Sequence, residues 1–158
     1  MARSFSTATL TVKLQENIVL GGQNMGSLNS FSVSGIKNVV KRLMTATTSE
    51  EYILTFHPST EAAGQYIEGN VRYIRITNLD DTNHIYLTFK NEDNDTFIVL
   101  LDKGQSYIYN ANLDGGVVNN FDSKDTAASS TDQLGDLVNI TAKADTASCD
   151  IEVYIATT

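Results

Sequence analysis

The chain has 158 residues, 41% of them hydrophobic and 19% charged, with a net charge of −8 at pH 7. A single domain of this length buries roughly 70% of its extended surface without staples, and one cysteine, Cys149, excludes an intrachain disulfide and suits assembly in a reducing cytosol. The basic residues are scattered apart from Lys37, Lys41 and Arg42, which argues against nucleic acid as a partner. The longest apolar run, FIVLL at 97–101, is far short of the ~20 residues of a spanning helix. MARSFSTATL lacks the basic-then-apolar pattern of a signal peptide, so neither a membrane nor export is expected.

Thr7–Gln15 alternates strictly, with Ala8, Leu10, Val12 and Leu14 on one face, and reads as a first strand. GGQNMGSLNS at 21–30 reads as a flexible connection, which makes residues 1–20 a first strand followed by a loop or an arm exchanged between subunits. Phe31–Ala46 carries both a helical spacing (Ile36, Val39, Val40, Leu43, Met44) and β-branched pairs, and strand is the preferred reading. Its Lys37, Lys41 and Arg42 are either a solvated polar edge or a docking point for an acidic partner. Glu51–Phe56 is a strand ended by His57-Pro58, and Gln65–Ile67 a short one.

Val71–Asn110 has the densest β signal: four runs rich in β-branched and aromatic residues, separated by NLDDTN, NEDND and DKGQ, read as an antiparallel meander. Period two sends Ile74, Ile76, Ile85, Leu87 and Phe89 to a core, and Tyr73 and Tyr86 to a shared non-core face. FIVLL, apolar on both faces, is expected to be a central strand covered on each side. If Tyr107 and Tyr109 join Tyr73 and Tyr86, the four form an aromatic patch for protein or sugar; cross-strand packing is the plainer alternative. Val117–Phe121 is a further strand candidate and 123–136 a polar loop. Leu137–Ala142 and Asp150–Ala156 read as a closing hairpin. The whole is expected to be an all-β, antiparallel sandwich of jelly-roll or Ig-like type with about nine short strands in one domain, residues 1–158.

No catalytic signature emerges. His57 and His84 stand on different elements with no ligand at metal spacing, no serine occupies a nucleophile elbow, and GGQNMG lacks the lysine of a phosphate loop. Asn91, Asp93 and Asp95 imitate the first half of a calcium loop, but Thr96 replaces its glycine and no glutamate closes it, so a hairpin turn is the better reading. Neither enzyme activity nor a cofactor or metal is expected.

The run GNVRYIRITNLDDTNHIYLTFKNEDNDTFIVLLDKGQSYIYNANLDGG, 69–116, resembles small β-sandwich virion proteins of short-tailed marine and cyanobacterial phages. The likeness lies in the order RITN, acidic turn, alternating strand, apolar strand and D-K-G-Q-S turn into an aromatic strand. It implies a virion location and a decoration or cement role on the head, with the major capsid protein or other virion proteins as partners. It also implies a homo-oligomer, a trimer by analogy with decoration proteins at threefold positions. A tail, connector or fibre module whose tyrosines contact host glycan is the alternative.

Overall fold

The computed structural model describes residues 6–92, 94–112, 115–116 and 137–158. The first strands are β1 (Ala8–Glu16), β2 (Val19–Leu20), β3 (Gln23–Asn24), β4 (Ser27–Ile36), β5 (Asn38–Ala46), β6 (Glu51–His57) and β7 (Gln65–Ile67). After a single 3-10 turn at Glu68–Asn70 come β8 (Val71–Asn78), β9 (Ile85–Asn91), β10 (Thr96–Leu101), β11 (Ser106–Asn112), β12 (Gly115–Gly116), β13 (Leu137–Ala144) and β14 (Cys149–Thr157). The chain is an all-β sandwich. One sheet runs β10-β9-β13-β6-β7 and the other β12-β11-β8-β14-β5.

Strands β5, β6, β8, β9, β10, β11, β13 and β14 fill these sheets so that the chain crosses from one to the other six times. This is the strand order of a jelly roll, and it decides between the two topologies that the sequence leaves open. Among the described strands only the parallel β6–β7 pair departs from antiparallel pairing. The ambiguous stretch 31–46 is two strands that meet at Lys37, because β5 pairs along its length with β14 and β4 with β1.

The core lies between the sheets. Ile74, Ile76, Ile151, Val153 and Ile155 of one sheet face Leu54, Ile85, Leu87, Phe89 and Ile140 of the other, all buried. The alternation in β8, β9 and β14 is therefore a true inward and outward pattern, and a one-residue slip would turn the Ile85/Leu87/Phe89 set to water.

Three expectations fail together. Val71–Asn110 is not a meander: β8 and β11 pair with each other in one sheet while β9 and β10 form a hairpin in the other. Leu137–Ala142 and Asp150–Ala156 are not a hairpin either, since β13 joins β9 and β6 while β14 joins β8 and β5. Finally, β10 is an edge strand instead of a central one. Phe97, Val99 and Leu101 turn inward, and Ile98 and Leu100 stay exposed. The common cause is that a polar loop reads the same whether it folds a strand back on its neighbour or carries it about 10 Å to the facing sheet.

Local hydrogen bonds decide which happens. At 91–95, Asn91 Oδ1 accepts from Asp95 N at 2.7 Å and Asn94 adopts φ 70°, which closes a tight hairpin. At 78–83, the fully buried Asn78 donates through Nδ2 to Asn83 O (2.9 Å) and to Leu101 O (3.2 Å), while its Oδ1 accepts from Asp80 N (3.0 Å). That side chain ties the end of β8 to the end of β10 across the two sheets. Asp80 caps the same crossing by accepting from Thr82 N and Asn83 N, and these bonds hold its carboxyl below the usual range. Asp93, Val117–Phe121 and the loop 123–136 lie outside the described residues.

Candidate interaction surfaces

Outside the sandwich, β1 and β4 form a two-stranded antiparallel ribbon whose tip is the β2–β3 pair. Glycines set the tip. Gly21 and Gly22 both have positive φ (58° and 80°), as a two-residue turn of the I′ kind requires between Val19-Leu20 and Gln23-Asn24. Gly26 allows close approach, because a Cβ there would stand 2.4 Å from Glu16 O. The Ser27 hydroxyl donates to Glu16 Oε2 at 2.5 Å, and Gly26 N donates to Asn24 Oδ1 at 2.9 Å. The stretch 21–30 is thus an ordered hairpin end and not a featureless connection. Gly-Gly between two short runs was the signal for it.

The base of the ribbon is packed. Leu10, Val12, Phe31, Val33 and Ile36 lie on the outer face of the β8/β14 sheet, against Tyr73, Ile108, Tyr154 and Ala156. The Tyr73 ring sits 6.3 Å from Phe31 and edge-on to Tyr154 at 5.9 Å, and burial pushes its hydroxyl pKa up. Gly35 (φ 77°) and the bond from Lys37 N to Thr157 O (2.9 Å) turn the chain from ribbon into sheet. The outer half is bare. Every residue from Lys13 to Ser30 is exposed, among them Leu14, Ile18, Val19 (71%), Leu20 (68%), Met25 and Leu28 (65%).

The four tyrosines of the expected patch are dispersed. Tyr73 does face away from the main core, but the ribbon covers it. Tyr109 is buried in the main core and Tyr107 packs against it, their rings 5.9 Å and 5.2 Å from Phe89. Tyr86 faces outward from the opposite sheet, with His84 edge-on at 5.3 Å and its hydroxyl 3.4 Å from Asp145 Oδ1. The reason is topological: β8 and β9 belong to different sheets, so the same parity points in opposite directions.

The basic group is dispersed as well. Parity on β5 sends Lys41 outward and Arg42 inward, where Arg42 donates to Ile53 O at 2.7 Å at the rim of the two sheets. Lys41 pairs with Glu152 at 2.8 Å, Arg75 binds the other oxygen of the same carboxylate, and Lys37 is exposed at the foot of the ribbon. The two cations hold the Glu152 carboxyl below its ordinary pKa. A lowered folded pKa stabilises above the unfolded value and is lost as pH falls through the folded one. Glu152→Gln is therefore expected to cost about 0.5–1 kcal/mol in urea melts at pH 7 and less at an acid pH at which the Glu152 carboxyl is protonated in the folded protein. An equal loss at both pH values would contradict the ion-pair assignment.

A second bare area is the outer face of the β9/β13 sheet, where registers align Ile98 with Thr88 and Thr141, and Leu100 with Tyr86 and Lys143. Glu50, Tyr52, Thr88, Lys90, Ile98 and Thr141 are among the residues that line an open cleft of about 450 Å³ here. Ile98 (62%) and Tyr52 (69%) are its largest exposed apolar surfaces. Thr141 donates to Glu50, which fixes one wall. Among the described residues no group of three or more potential metal ligands occurs, and His57 serves its own loop, its Nδ1 accepting from Ser59 N and Thr60 N. Cys149 is fully buried, its thiol pKa raised by desolvation and its Sγ 3.4 Å from Ala147 O.

No protein-family model matches the chain, and no curated protein matches it. Among solved structures it is similar to a protein from Bacillus endospore appendages, described as forming a novel family of disulfide-linked pili. The identity is 8% and the TM-score 0.45, over 100% of this chain and 96% of that one.

Proposed function

We propose that this chain is a structural subunit of a tailed-phage virion, a decoration or cement protein that stabilises the head through protein–protein contacts. The observation that carries the reading is the ribbon. A two-stranded hairpin alone is marginal in water, yet here one is built out beyond its own body with a stripe of exposed aliphatic side chains and Glu16 as the one charge between Leu14 and Ser30. Such a surface belongs against another molecule. The resemblance of 69–116 to virion proteins supplies the setting, with the major capsid protein as partner and the host cytoplasm as the place of synthesis.

The mechanism is burial. Apolar surface shared across capsomer junctions stabilises the assembled state by mass action, since anything that binds the closed shell and not the opened one raises the free energy of opening. Particles lacking the protein are expected to release DNA at lower temperature than complete ones, and readdition of wild-type protein should restore the difference. Identical release curves would overturn the cement role.

The outer-face cleft with Tyr52 and Tyr86 beside it favours a second reading, a tail or fibre module that binds host glycan. Glycan-array binding lost in Tyr52→Ala and Tyr86→Ala would support it. Clean arrays with the protein on purified heads would reject it.

A further inference from the structure

Apart from Val39, Leu43 and Leu79, the exposed large apolar side chains of the described residues gather in two places. Leu14, Ile18, Val19, Leu20, Met25 and Leu28 are on the outer half of the ribbon, and Tyr52, Ile98 and Leu100 are on the outer face of the β9/β13 sheet. The ribbon is packed on the outer face of the other sheet, so the two places look away from each other across the sandwich. Within one molecule they do not meet.

We propose that they meet between molecules: the ribbon tip of one copy seats on the outer face of the β9/β13 sheet of a second copy. The occupant is argued from three features. The first is the ribbon's own base, which already packs in this way: Leu10, Val12 and Phe31 lie on a sheet face presenting Tyr73, Ile108 and Tyr154. Leu14 continues the same side of β1 to the rim of that face, opposite Asn29 and two pairs beyond Val12 and Phe31. The acceptor face offers the same kind of surface, with Tyr52, Tyr86, Ile98 and Leu100.

Charge is the second feature. A chain of net charge −8 repels its own copies unless contact is made through neutral or complementary parts. Beyond Lys13 the outer ribbon carries the single charge Glu16, whereas the acceptor face carries Lys90 and Lys143, neither of which forms an ion pair among the described residues, beside the one carboxylate of Glu50, which Thr141 holds. The third is the edge strand. Thr96–Leu101 contains no proline and no charged residue, the usual guards against pairing with another chain.

A contact between two different patches is heterologous, so it propagates from copy to copy and closes as a ring or continues as a filament. It deepens the virion reading, on which it rests for its setting only, and it is testable apart from any virion. The assay is mass photometry and sedimentation of full-length protein. Wild type is expected to form multimers in the micromolar range. A ribbon variant (Val19→Ser with Leu20→Ser) and a face variant (Ile98→Ser with Leu100→Ser) should each be folded monomers, with self-association weakened about 100-fold or more. Mixed together, they should form a one-to-one dimer that grows no further, because each lacks the site that the other retains.

Multimers of the face variant equal to those of wild type would overturn the proposal, as would a monomeric wild type or a mixture of folded variants that stays monomeric. Protein found on virion heads but monomeric in solution would remove this self-contact and leave the virion reading standing. Absence from virions with the mixing result intact would do the opposite.

Discussion

Phe89→Ala is expected to destabilise the fold by about 3–5 kcal/mol, the usual range for emptying a fully buried aromatic site. Phe89 has no exposed surface, and its ring stacks on Phe97 at 4.5 Å and 4° and contacts Tyr107 at 5.2 Å and Tyr109 at 5.9 Å. Two of those partners come from β11 of the facing sheet, so the cavity would open at the seam between the sheets, where neither backbone can collapse to fill it. At about 2–4 °C per kcal/mol for a domain of this size, the melting temperature should fall by about 6–20 °C. Phe89→Leu, which keeps most of the volume, should lose much less. Urea and thermal melts decide the matter, and a loss under about 1 kcal/mol for the alanine variant would mean that the two sheets do not share this core.

The second large effect is local. Tyr73→Ala removes the side chain on which the base of the ribbon rests, between Phe31 and Tyr154 and next to Val33 and Ala156. It is expected to cost about 3 kcal/mol, but the loss should fall on one part of the molecule. The apolar contact of the ribbon with the sandwich is this small second cluster, while β8 and its neighbours remain held by the main core. In hydrogen exchange, amides of β1 and β4 should lose protection while β9, β13 and β14 keep theirs. Uniform loss across both sheets would show that the ribbon is an inseparable part of one cooperative unit.

Much of the sandwich was legible because alternation in a half-buried strand is a direct record of which face meets the core. Ile74, Ile76, Ile85, Leu87, Phe89, Ile151, Val153 and Ile155 all point inward as their parity predicts. Which sheet a strand joins was not legible. NLDDTN and KADTASC have the composition of hairpin turns, and only the buried bonds of Asn78 and the pairing of β14 with β8 make them crossings. From that one ambiguity come the false meander, the misplaced FIVLL strand and the tyrosine patch that does not form.

The interaction surfaces were half legible. The doubly apolar FIVLL did mark an unusual strand, but what it marked was an edge with Ile98 and Leu100 in water, because the sequence records apolar faces and not what covers them. The ribbon was visible as a possible arm. Its order came from Gly21, Gly22 and Gly26, whose backbone geometry turns a stretch that composition assigns to a loop into the end of a hairpin.

The most direct measurement of the central claim is the copy number and position of this chain in purified particles, by quantitative mass spectrometry together with imaging of labelled protein. A decoration protein that follows the symmetry of the shell should be present in a number on the order of hundreds and spread over the head. A handful of copies at the tail, or none on the particle, would contradict it.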